Sequence, residues 1–494
     1  MNIYLEIENL LKYSIIKKLI KKDDEIFLRN RILEILDLDE YEKLEVDTKY
    51  LSSLDYPCEI LDKITNWAGE KGRLKENILV YKDILNARIM GNIISRPSII
   101  RDIFWNKYRD NKKLATDYFY EISKQSNYIR TDRISKNVSY KYKSKYGELD
   151  ITINLSKPEK DPKEIALAKN APLSKYPKSI LCKENEGYMG RINHPARQNH
   201  RIIPITLNNE DWFFQYSPYT YYNEHSIAFS SEIRPMKIDK FSFKRLIDFI
   251  EIFPHYFIGS NADLPIVGGS ILSHDHFQAG RYEFAMEKSN KEQIRQIGEV
   301  KLSIVDWAMS VIRLNSNNKN EIIEVADKIL QKWIKYNENN IVSHTGDIRH
   351  NTITPIARFN GDEYELDLVL RNNLTSDEYP LGIYHPHTEY HNIKKENIGL
   401  IEVMGLAVLP SRLKEEMQVL QSLIEASENV DELIESMNNI ENQHKHIEWI
   451  KRYVNDENLK NANVYDFVGH TFEKVLENCK VLNEQSLKEF IKKI

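Results

Sequence analysis

Two histidines and a glutamine alternate in the segment SHDHFQ, residues 273–278 of the chain. If residues 271–278 form an extended strand, His274, His276 and Gln278 share one face, because successive side chains point to opposite sides. Alternate residues on such a face lie about 6.5–7 Å apart, so these side chains could surround one phosphate group. A mostly neutral imidazole can attack phosphorus and later leave from it. The pattern therefore predicts a nucleophilic histidine, with Gln278 as an uncharged hydrogen-bond donor beside it.

A pair of glycines, Gly268 and Gly269, precedes this segment and is followed by Ser270. A residue without a Cβ lets the backbone approach a ligand closely, so the amides here could contact phosphate oxygens. We therefore take all three residues as candidate phosphate contacts. A His-x-His pair on a strand also suits metal ligation or a hydrogen-bonded place in the core. The metal alternative leaves the glycines and Gln278 unexplained.

The run that contains both features, DLPIVGGSILSHDHFQAG at residues 263–280, resembles the signature of the class II galactose-1-phosphate uridylyltransferases. The similarity continues through residues 191–230, the runs HNTITPIARF and VLRNN, and residues 385–410. The resemblance implies two histidine-triad-like halves, His276 as the nucleophile, and Gln278 as the residue that steadies the phosphoryl oxygens. It also implies a homodimer, because class I relatives are dimers with sites shared across the interface.

The reaction that the resemblance implies is a double displacement. His276 attacks the α-phosphorus of UDP-glucose, glucose 1-phosphate leaves, and galactose 1-phosphate then takes the uridylyl group to give UDP-galactose. Because such transition states are loose, the protein mainly positions the reactants and stabilises charge, a task for which His274, the glycine amides and Gln278 are suitably placed. Two alternatives remain. One is a histidine-triad nucleotide hydrolase or phosphorylase, and the other is a metal-dependent hydrolase or sugar-binding module with His274 and His276 as ligands.

A second histidine pair, in the run HPH at residues 385–387, has the His-Pro-His form of the class I nucleophile motif. It lacks the glycine pair before it and the glutamine after it, so we reject it as the nucleophilic site. His385 and His387 remain candidate substrate contacts, as a degenerate counterpart of the first pair, or metal ligands together with His391. Nearby, Glu402 resembles the acid of the class I Gly-Tyr-Glu-Met segment, which contacts hexose hydroxyls. An ordinary helix-cap or surface glutamate fits it equally.

The segment GRINHPARQNHR, residues 190–201, is dense in polar side chains between apolar elements. Guanidinium groups pair well with diphosphate oxygens, and the resemblance implies uridine and phosphate contacts in this region. We therefore predict Arg191, Asn193 and Arg197 as substrate-binding residues. The alternative is a solvated basic loop.

Composition restricts the partners and the compartment. The chain has 494 residues and a formal net charge of −5, from 69 lysines and arginines against 74 acids, so nothing global favours nucleic acid or an anionic membrane. No segment approaches the roughly 18 apolar residues of a membrane span, and the charged amino terminus does not resemble a secretory signal. Three dispersed cysteines fit a reducing cytoplasm and provide no zinc-binding pair. We expect a cytoplasmic enzyme without cysteine-ligated zinc or another cofactor, although a histidine-ligated metal stays open.

The spacing of apolar residues predicts an α+β fold. Helical spacing dominates residues 1–137 and returns after Pro410, whereas alternation indicates strands at residues 149–155, 212–216 and 225–230. A helix at about residues 243–250 follows, and residues 273–278, which we call the nucleophile segment, come next. The local order around the nucleophile is therefore strand, helix, strand.

The second part of the chain shows a similar succession. We expect a helical stretch at residues 301–336 and then a hairpin with its turn at Asn360-Gly361. These patterns divide the chain into a helical arm at residues 1–150, a first half with the nucleophile at 151–300, and a second half with carboxy-terminal helices at 301–494. An internal duplication of the two halves is an open interpretation.

Overall fold

The amino-terminal arm is helical, as the spacing of its apolar residues predicts. Its inward faces carry buried side chains three and four residues apart, such as Ile60, Leu61 and Ile64. The helices of the arm are α1 (Ile3–Ile16), α2 (Glu25–Leu36), α3 (Thr48–Ser53), α4 (Cys58–Glu70), α5 (Leu79–Ile93), α6 (Pro97–Asp110), α7 (Lys112–Gln125) and α8 (Thr131–Ile134).

The computed structural model describes residues 1–156, 162–169, 171–172, 174–269 and 271–494, which form two units. The first unit contains Met1–Lys136, Ser156–Thr220 and Glu224–Arg234, and the second contains Asn137–Leu155, Tyr221–Asn223 and Pro235–Ile494. The helical arm and the polar segment 190–201 thus belong to the first unit. The nucleophile segment belongs to the second.

Strands occupy the middle of the chain, and helices return at its end. The strands are β1 (Val138–Ser144), β2 (Gly147–Ile153), β3 (Ile203–Leu207), β4 (Glu210–Tyr216), β5 (Ser226–Ser230), β6 (Phe257–Gly259), β7 (His276–Gly280), β8 (Lys291–Ile297), β9 (Val300–Val305), β10 (Val311–Ser316), β11 (His344–Thr345), β12 (Ile348–Arg349), β13 (Asn351–Asn360), β14 (Glu363–Asn372) and β15 (Leu406–Leu409). The remaining helices are α9 (Pro162–Lys169), α10 (Lys240–Ile252), α11 (Ala285–Lys288), α12 (Lys319–Ile334), α13 (Leu400–Val403), α14 (Leu413–Ala426), α15 (Val430–Asn438), α16 (Ile447–Ile450), α17 (Val464–Asn478) and α18 (Glu484–Lys492).

In the first unit, β3, β4 and β5 form an antiparallel meander. The ring of Phe119 on α7 packs against Phe214 and Tyr216 on β4, with centroids 5.8 and 5.3 Å apart. The hydroxyl of Tyr128 donates to the carbonyl oxygen of Tyr216 at 3.1 Å. Aromatic packing and this buried hydrogen bond therefore fix the helical arm against the meander.

In the second unit, the described strands pair in the order β7-β6-β13-β14-β10-β9-β8. One face of this sheet is apolar, with buried residues such as Ile258, Leu366 and Leu368, and α10 and α12 pack on the sheet. The hydroxyl of Tyr364, on the same side of β14 as Leu366, donates to Glu251 of α10 at 2.8 Å. The helices therefore cover the apolar face, and the side chains of His276 and Gln278 lie on the opposite face.

A smaller sheet, β1-β2-β15, continues the core of the second unit toward the carboxy-terminal helices. Phe257, Ile356 and Val369 share a hydrophobic cluster with Leu406 of β15 and Met417 of α14. The strand predicted around residues 149–155 is β2, and it pairs antiparallel with β1 and parallel with β15. The α+β prediction and the helical carboxy terminus are confirmed.

The order of elements repeats along the chain. A meander (β3–β5), a helix (α10) and two strands (β6 and β7) are followed by a second meander (β8–β10), helix (α12) and strand pair (β13 and β14). In the second unit, Gln278 lies opposite Gly259, Gly259 opposite Ile356, and Ile356 opposite Asp367. Asp367 therefore occupies in the second repeat the place that Gln278 occupies in the first, and Glu365 the place of His276. The element order supports the interpretation of an internal duplication.

Two local predictions are wrong. Residues 301–316, expected to be helical, form most of β9 and all of β10, because their apolar residues alternate and the carboxylates of β14 pair with Arg313 inside the sheet. The strand expected from residue 271 begins at His276, since residues 272–274 bend. The predicted hairpin at Asn360-Gly361 is confirmed as the β13–β14 turn, in which Gly361 has a φ of +61°.

Candidate active site

His276 begins β7 with its imidazole buried, its exposed fraction being 6%. Its Nδ1 lies 2.8 Å from the carbonyl oxygen of His274. Because a carbonyl oxygen can only accept a hydrogen bond, Nδ1 carries the proton and Nε2 carries the lone pair. The backbone two residues earlier therefore selects the tautomer in which Nε2 is the nucleophilic atom.

Burial lowers the pKa of His276 to about 4, the hydrogen bond to His274 opposes this change, and the neighbouring His274 ring adds to it. The imidazole is thus neutral across the physiological range. A neutral ring is the form that can attack phosphorus.

His274 and Asp275 precede the strand, so strand alternation does not place His274 beside His276. Both side chains are buried, and the Asp275 carboxylate lies 3.9 Å from Nη1 of Arg245 on α10. The carbonyl oxygen of His274 accepts the hydrogen bond from His276 Nδ1. Gln278, two residues along β7, shares the face of His276 and is partly exposed.

The glycine pair lies where the backbone folds closely on itself. A Cβ on Gly268 would lie 2.5 Å from the carbonyl oxygen of Ala262 and 2.6 Å from that of Leu264, and one on Gly269 would lie 2.6 Å from Nδ2 of Asn261. Ala262 and Gly268 also form a β-bridge. The glycines are therefore required for packing within the protein, and their contact with phosphate stays a prediction. Ser270 lies outside the described residues.

Sequence reasoning did not single out Asn261, a buried amide that follows β6. Its Oδ1 accepts a hydrogen bond from the backbone N–H of Leu400 at 2.8 Å, while its Nδ2 packs against Gly269. Asn261 thus joins the glycine pair to the start of α13. An asparagine two residues before the signature run, just after a short apolar segment, is the available sequence signal.

The His385-Pro386-His387 run lies in a loop beyond β14, and Glu365 occupies the position corresponding to His276. His385 lines a cavity of about 340 Å³ together with Ile266, Pro380, Leu381, Lys395, Glu396 and Asn397. His387 donates from Nε2 to the carbonyl oxygen of Ile383 at 3.0 Å, and His391 donates from Nε2 to that of Pro386 at 2.9 Å. Among the described residues, no group of His, Cys, Asp or Glu side chains is arranged to hold a metal ion.

Glu402 lies on α13 and makes two contacts inside the protein. Its Oε1 pairs with Nζ of the buried Lys394 at 3.0 Å, and its Oε2 accepts from the backbone N–H of Gly399 at 3.2 Å. It is therefore a helix-capping residue with a buried cationic partner. Its predicted contact with a sugar hydroxyl stays a prediction.

The predicted arginine cluster belongs to the first unit. Arg191 donates from Nε to Asn193 Oδ1 at 2.7 Å and from Nη1 to the hydroxyl of Tyr188 at 2.7 Å. The guanidinium of Arg197 lies 5.5 Å from the centre of the Tyr128 ring. These three predicted residues retain partly or fully exposed side chains. Arg201 in the same segment is buried, and its guanidinium donates to backbone carbonyls of Ser95, Gln198 and His200.

Two family models match consecutive parts of the chain. Residues 18–235 match the model of the galactose-1-phosphate uridyl transferase N-terminal domain, and residues 249–447 match that of the C-terminal domain. The chain belongs to the galactose-1-phosphate uridyl transferase family. The range that matches the model of the C-terminal domain contains both the nucleophile segment and the strands β13 and β14 of the second repeat.

Relatives match over nearly the whole length. A galactose-1-phosphate uridylyltransferase from Fusobacterium nucleatum is 48% identical over 98% of this chain and 97% of its own, and one from Halalkalibacterium halodurans is 50% identical over 97% and 95%. A crystal structure of yeast Ap4A phosphorylase Apa2 covers 62% of this chain and 92% of its own, with 12% identity and a TM-score of 0.34. Within the described ranges, no helix combines the length and apolarity needed to cross a membrane.

Proposed function

We propose that this chain transfers UMP from UDP-glucose to galactose 1-phosphate through a uridylyl group carried on His276. The observation that carries the proposal is the hydrogen bond between His276 Nδ1 and the His274 carbonyl oxygen, because it leaves Nε2 as the attacking atom. Family membership and near full-length relatives named galactose-1-phosphate uridylyltransferase support the substrates.

In the first step, Nε2 of His276 attacks the α-phosphorus of UDP-glucose. The N–P bond forms as the bond to the bridging oxygen breaks, and the electron pair leaves with glucose 1-phosphate. The Nδ1 proton stays on the ring, where the His274 carbonyl oxygen stabilises the positive charge that develops. Gln278 donates its amide N–H to a nonbridging oxygen, and the amides of Gly268 and Gly269 assist from the preceding loop.

In the second step, a phosphate oxygen of galactose 1-phosphate attacks the same phosphorus and the N–P bond breaks. UDP-galactose forms, and Nε2 recovers its lone pair. Arg191, Asn193 and Arg197 contact the nucleotide in this proposal, and His385, His387 and Glu402 contact the sugar phosphate. The cavity lined by His385 and Ile266 supports a binding role for His385. We further propose that the protein is a cytoplasmic homodimer. Sedimentation velocity measures its oligomeric state.

The test is to incubate the protein with uridine-labelled UDP-glucose alone and to map the label. We expect an acid-labile uridylyl group on His276, released glucose 1-phosphate, and no label on a His276→Asn variant. Transfer of the label to galactose 1-phosphate completes the reaction. Sustained UMP formation would favour a hydrolase, and loss of activity on chelation without a trapped intermediate would favour a metal-dependent enzyme.

A further inference from the structure

Asp263 is a buried carboxylate in the loop between β6 and β7, and the proposed reaction assigns it no task. Its Oδ2 accepts from Nη2 of Arg349 at 2.7 Å and from the backbone N–H of Ile238 at 2.9 Å, and its Oδ1 accepts from the hydroxyl of Thr352 at 2.5 Å. Such charge-assisted hydrogen bonds in a buried place are strong and directional. Asp263 is therefore a fixed point of its loop.

The loop around Asp263 packs against the glycine pair, so the position of Asp263 affects that of the glycines. Residues 262–269, which we call the signature loop, close on themselves through the bridge between Ala262 and Gly268. The carbonyl oxygens on either side of Asp263, those of Ala262 and Leu264, lie so close to Gly268 that a Cβ there would come within 2.6 Å of both. A shift of Asp263 therefore shifts the surface against which Gly268 packs.

The groups that hold the signature loop come largely from the second repeat. Arg349 ends β12 and Thr352 belongs to β13, while Nδ2 of Asn373, directly after β14, donates to the carbonyl oxygen of Pro265 at 3.3 Å. Within the loop, Ile266 has a φ of +72°, a conformation that β-branched residues rarely adopt. Strain of this kind persists where the surroundings hold the backbone firmly.

We propose that Asp263, held by Arg349 and Thr352, is a positioning residue that sets the Gly268 and Gly269 amides for the uridylyl transfer. This inference rests on the proposed function, because it assumes that these amides face the α-phosphoryl group. The second repeat, whose own counterpart of the nucleophile is Glu365, contributes to the reaction by holding the loop of the first.

The experiment measures the single-turnover rate of uridylyl-enzyme formation in three variants. Asp263→Asn removes the charge and introduces an N–H donor opposite the Ile238 N–H. We therefore expect the rate of uridylyl-enzyme formation to fall about 100-fold, because small displacements of reacting groups cause losses of this order. Arg349→Gln and Thr352→Val each remove one anchor and should give smaller, graded losses. UDP-glucose affinity should change much less than the rate, because the interaction is required in the transition state.

Arg412→Gln is the matched control. Arg412 also pairs with a mostly buried carboxylate, Glu416 at 2.7 Å, and its side chain is 35% exposed against 25% for Arg349. We expect it to label at the wild-type rate. Arg349→Gln and Thr352→Val decide the question if Asp263→Asn does not fold, since both keep the carboxylate.

The outcomes separate the two proposals. If the wild-type protein takes no label, the proposed function fails. If the wild-type protein takes label and the Asp263, Arg349 and Thr352 variants are labelled at the wild-type rate, the positioning role is wrong. A slower rate in Arg412→Gln, equal to that of Arg349→Gln, would reduce the effect to general destabilisation and would also overturn the role.

Discussion

At the scale of single residues, the proposed nucleophile, His276, depends on the backbone of its own segment. Catalytic histidines are commonly oriented by a carboxylate or carbonyl partner on the second ring nitrogen, and here the partner is the carbonyl oxygen of His274. A backbone partner adds no negative charge beside the ring. Burial therefore lowers the pKa of His276 without an opposing carboxylate among the causes of the shift.

This arrangement predicts an unusual pH profile for the first step. The rate of uridylyl-enzyme formation should stay constant down to mildly acidic pH and fall to half near pH 4, because protonation of Nε2 removes the attacking lone pair only as pH falls through the pKa of about 4. Rapid-quench single turnovers with labelled UDP-glucose measure it, with circular dichroism at each pH to verify folding. A half-maximal rate near 6.5, the ordinary value for histidine, would contradict the prediction.

At the scale of elements, the β13–β14 hairpin carries a buried network of charges. Asp367 accepts from Nε and Nη2 of Arg313 at 2.6 and 2.8 Å and from Nη2 of Arg358 at 2.6 Å. Burial raises the pKa of Asp367, but Arg313 and Arg358 outweigh it and lower the pKa to about 2. The carboxylate therefore contributes stability above its ordinary pKa of 3.8, and this contribution is lost as pH falls through about 2.

We predict that Asp367→Asn lowers the free energy of unfolding by about 3–5 kcal/mol, because it removes one of the two buried carboxylates, Asp367 and Glu365, that neutralise Arg313 and Arg358. Urea unfolding at neutral pH measures this loss. Glu363→Gln on the same strand is the control, since its pair with Lys301 is partly exposed to solvent and should contribute at most about 1 kcal/mol. Equal effects of the two substitutions would show that burial of the network is unimportant.

The sequence permits prediction of elements where pattern and burial agree. Asn360-Gly361 indicates its hairpin because glycine tolerates the left-handed turn, and the alternation around Ile151 indicates β2. Residues 301–316 are mistaken for helix because Arg313 and Asn315 occupy an interior face that is polar. The role of Asp263 also escapes sequence reasoning, since its partners Arg349 and Thr352 are some ninety residues away in the chain. Long-range polar pairing leaves no periodic signal.

At the scale of the whole molecule, the two repeats have separate tasks. In the proposed reaction the first supplies His276 and Gln278, and the second presents Glu365 and Asp367 at the corresponding positions, where buried arginines neutralise them. Carboxylates held in this way cannot serve as phosphorus nucleophiles. The second repeat holds the signature loop through Arg349, Thr352 and Asn373 instead.

This division predicts one uridylyl group per chain. Intact-mass spectrometry after incubation with saturating UDP-glucose should show a single addition of UMP, and His276→Asn should show none, because among the described residues the position corresponding to His276 is occupied by Glu365, whose carboxylate pairs with Arg358. A second addition on the wild-type chain, or residual labelling of the variant, would contradict the assignment of the tasks.

The pairing of β6 with β13 bears on the ancestry of the chain. Gly259 and Ile356 lie opposite each other at the centre of the order β7-β6-β13-β14, so the arrangement reads the same from either end. Two identical copies of one repeat would form this contact across a twofold axis. Duplication of one repeat that paired with itself in this way would produce the observed order of strands, with His276 in one copy and Glu365 at the corresponding position of the other.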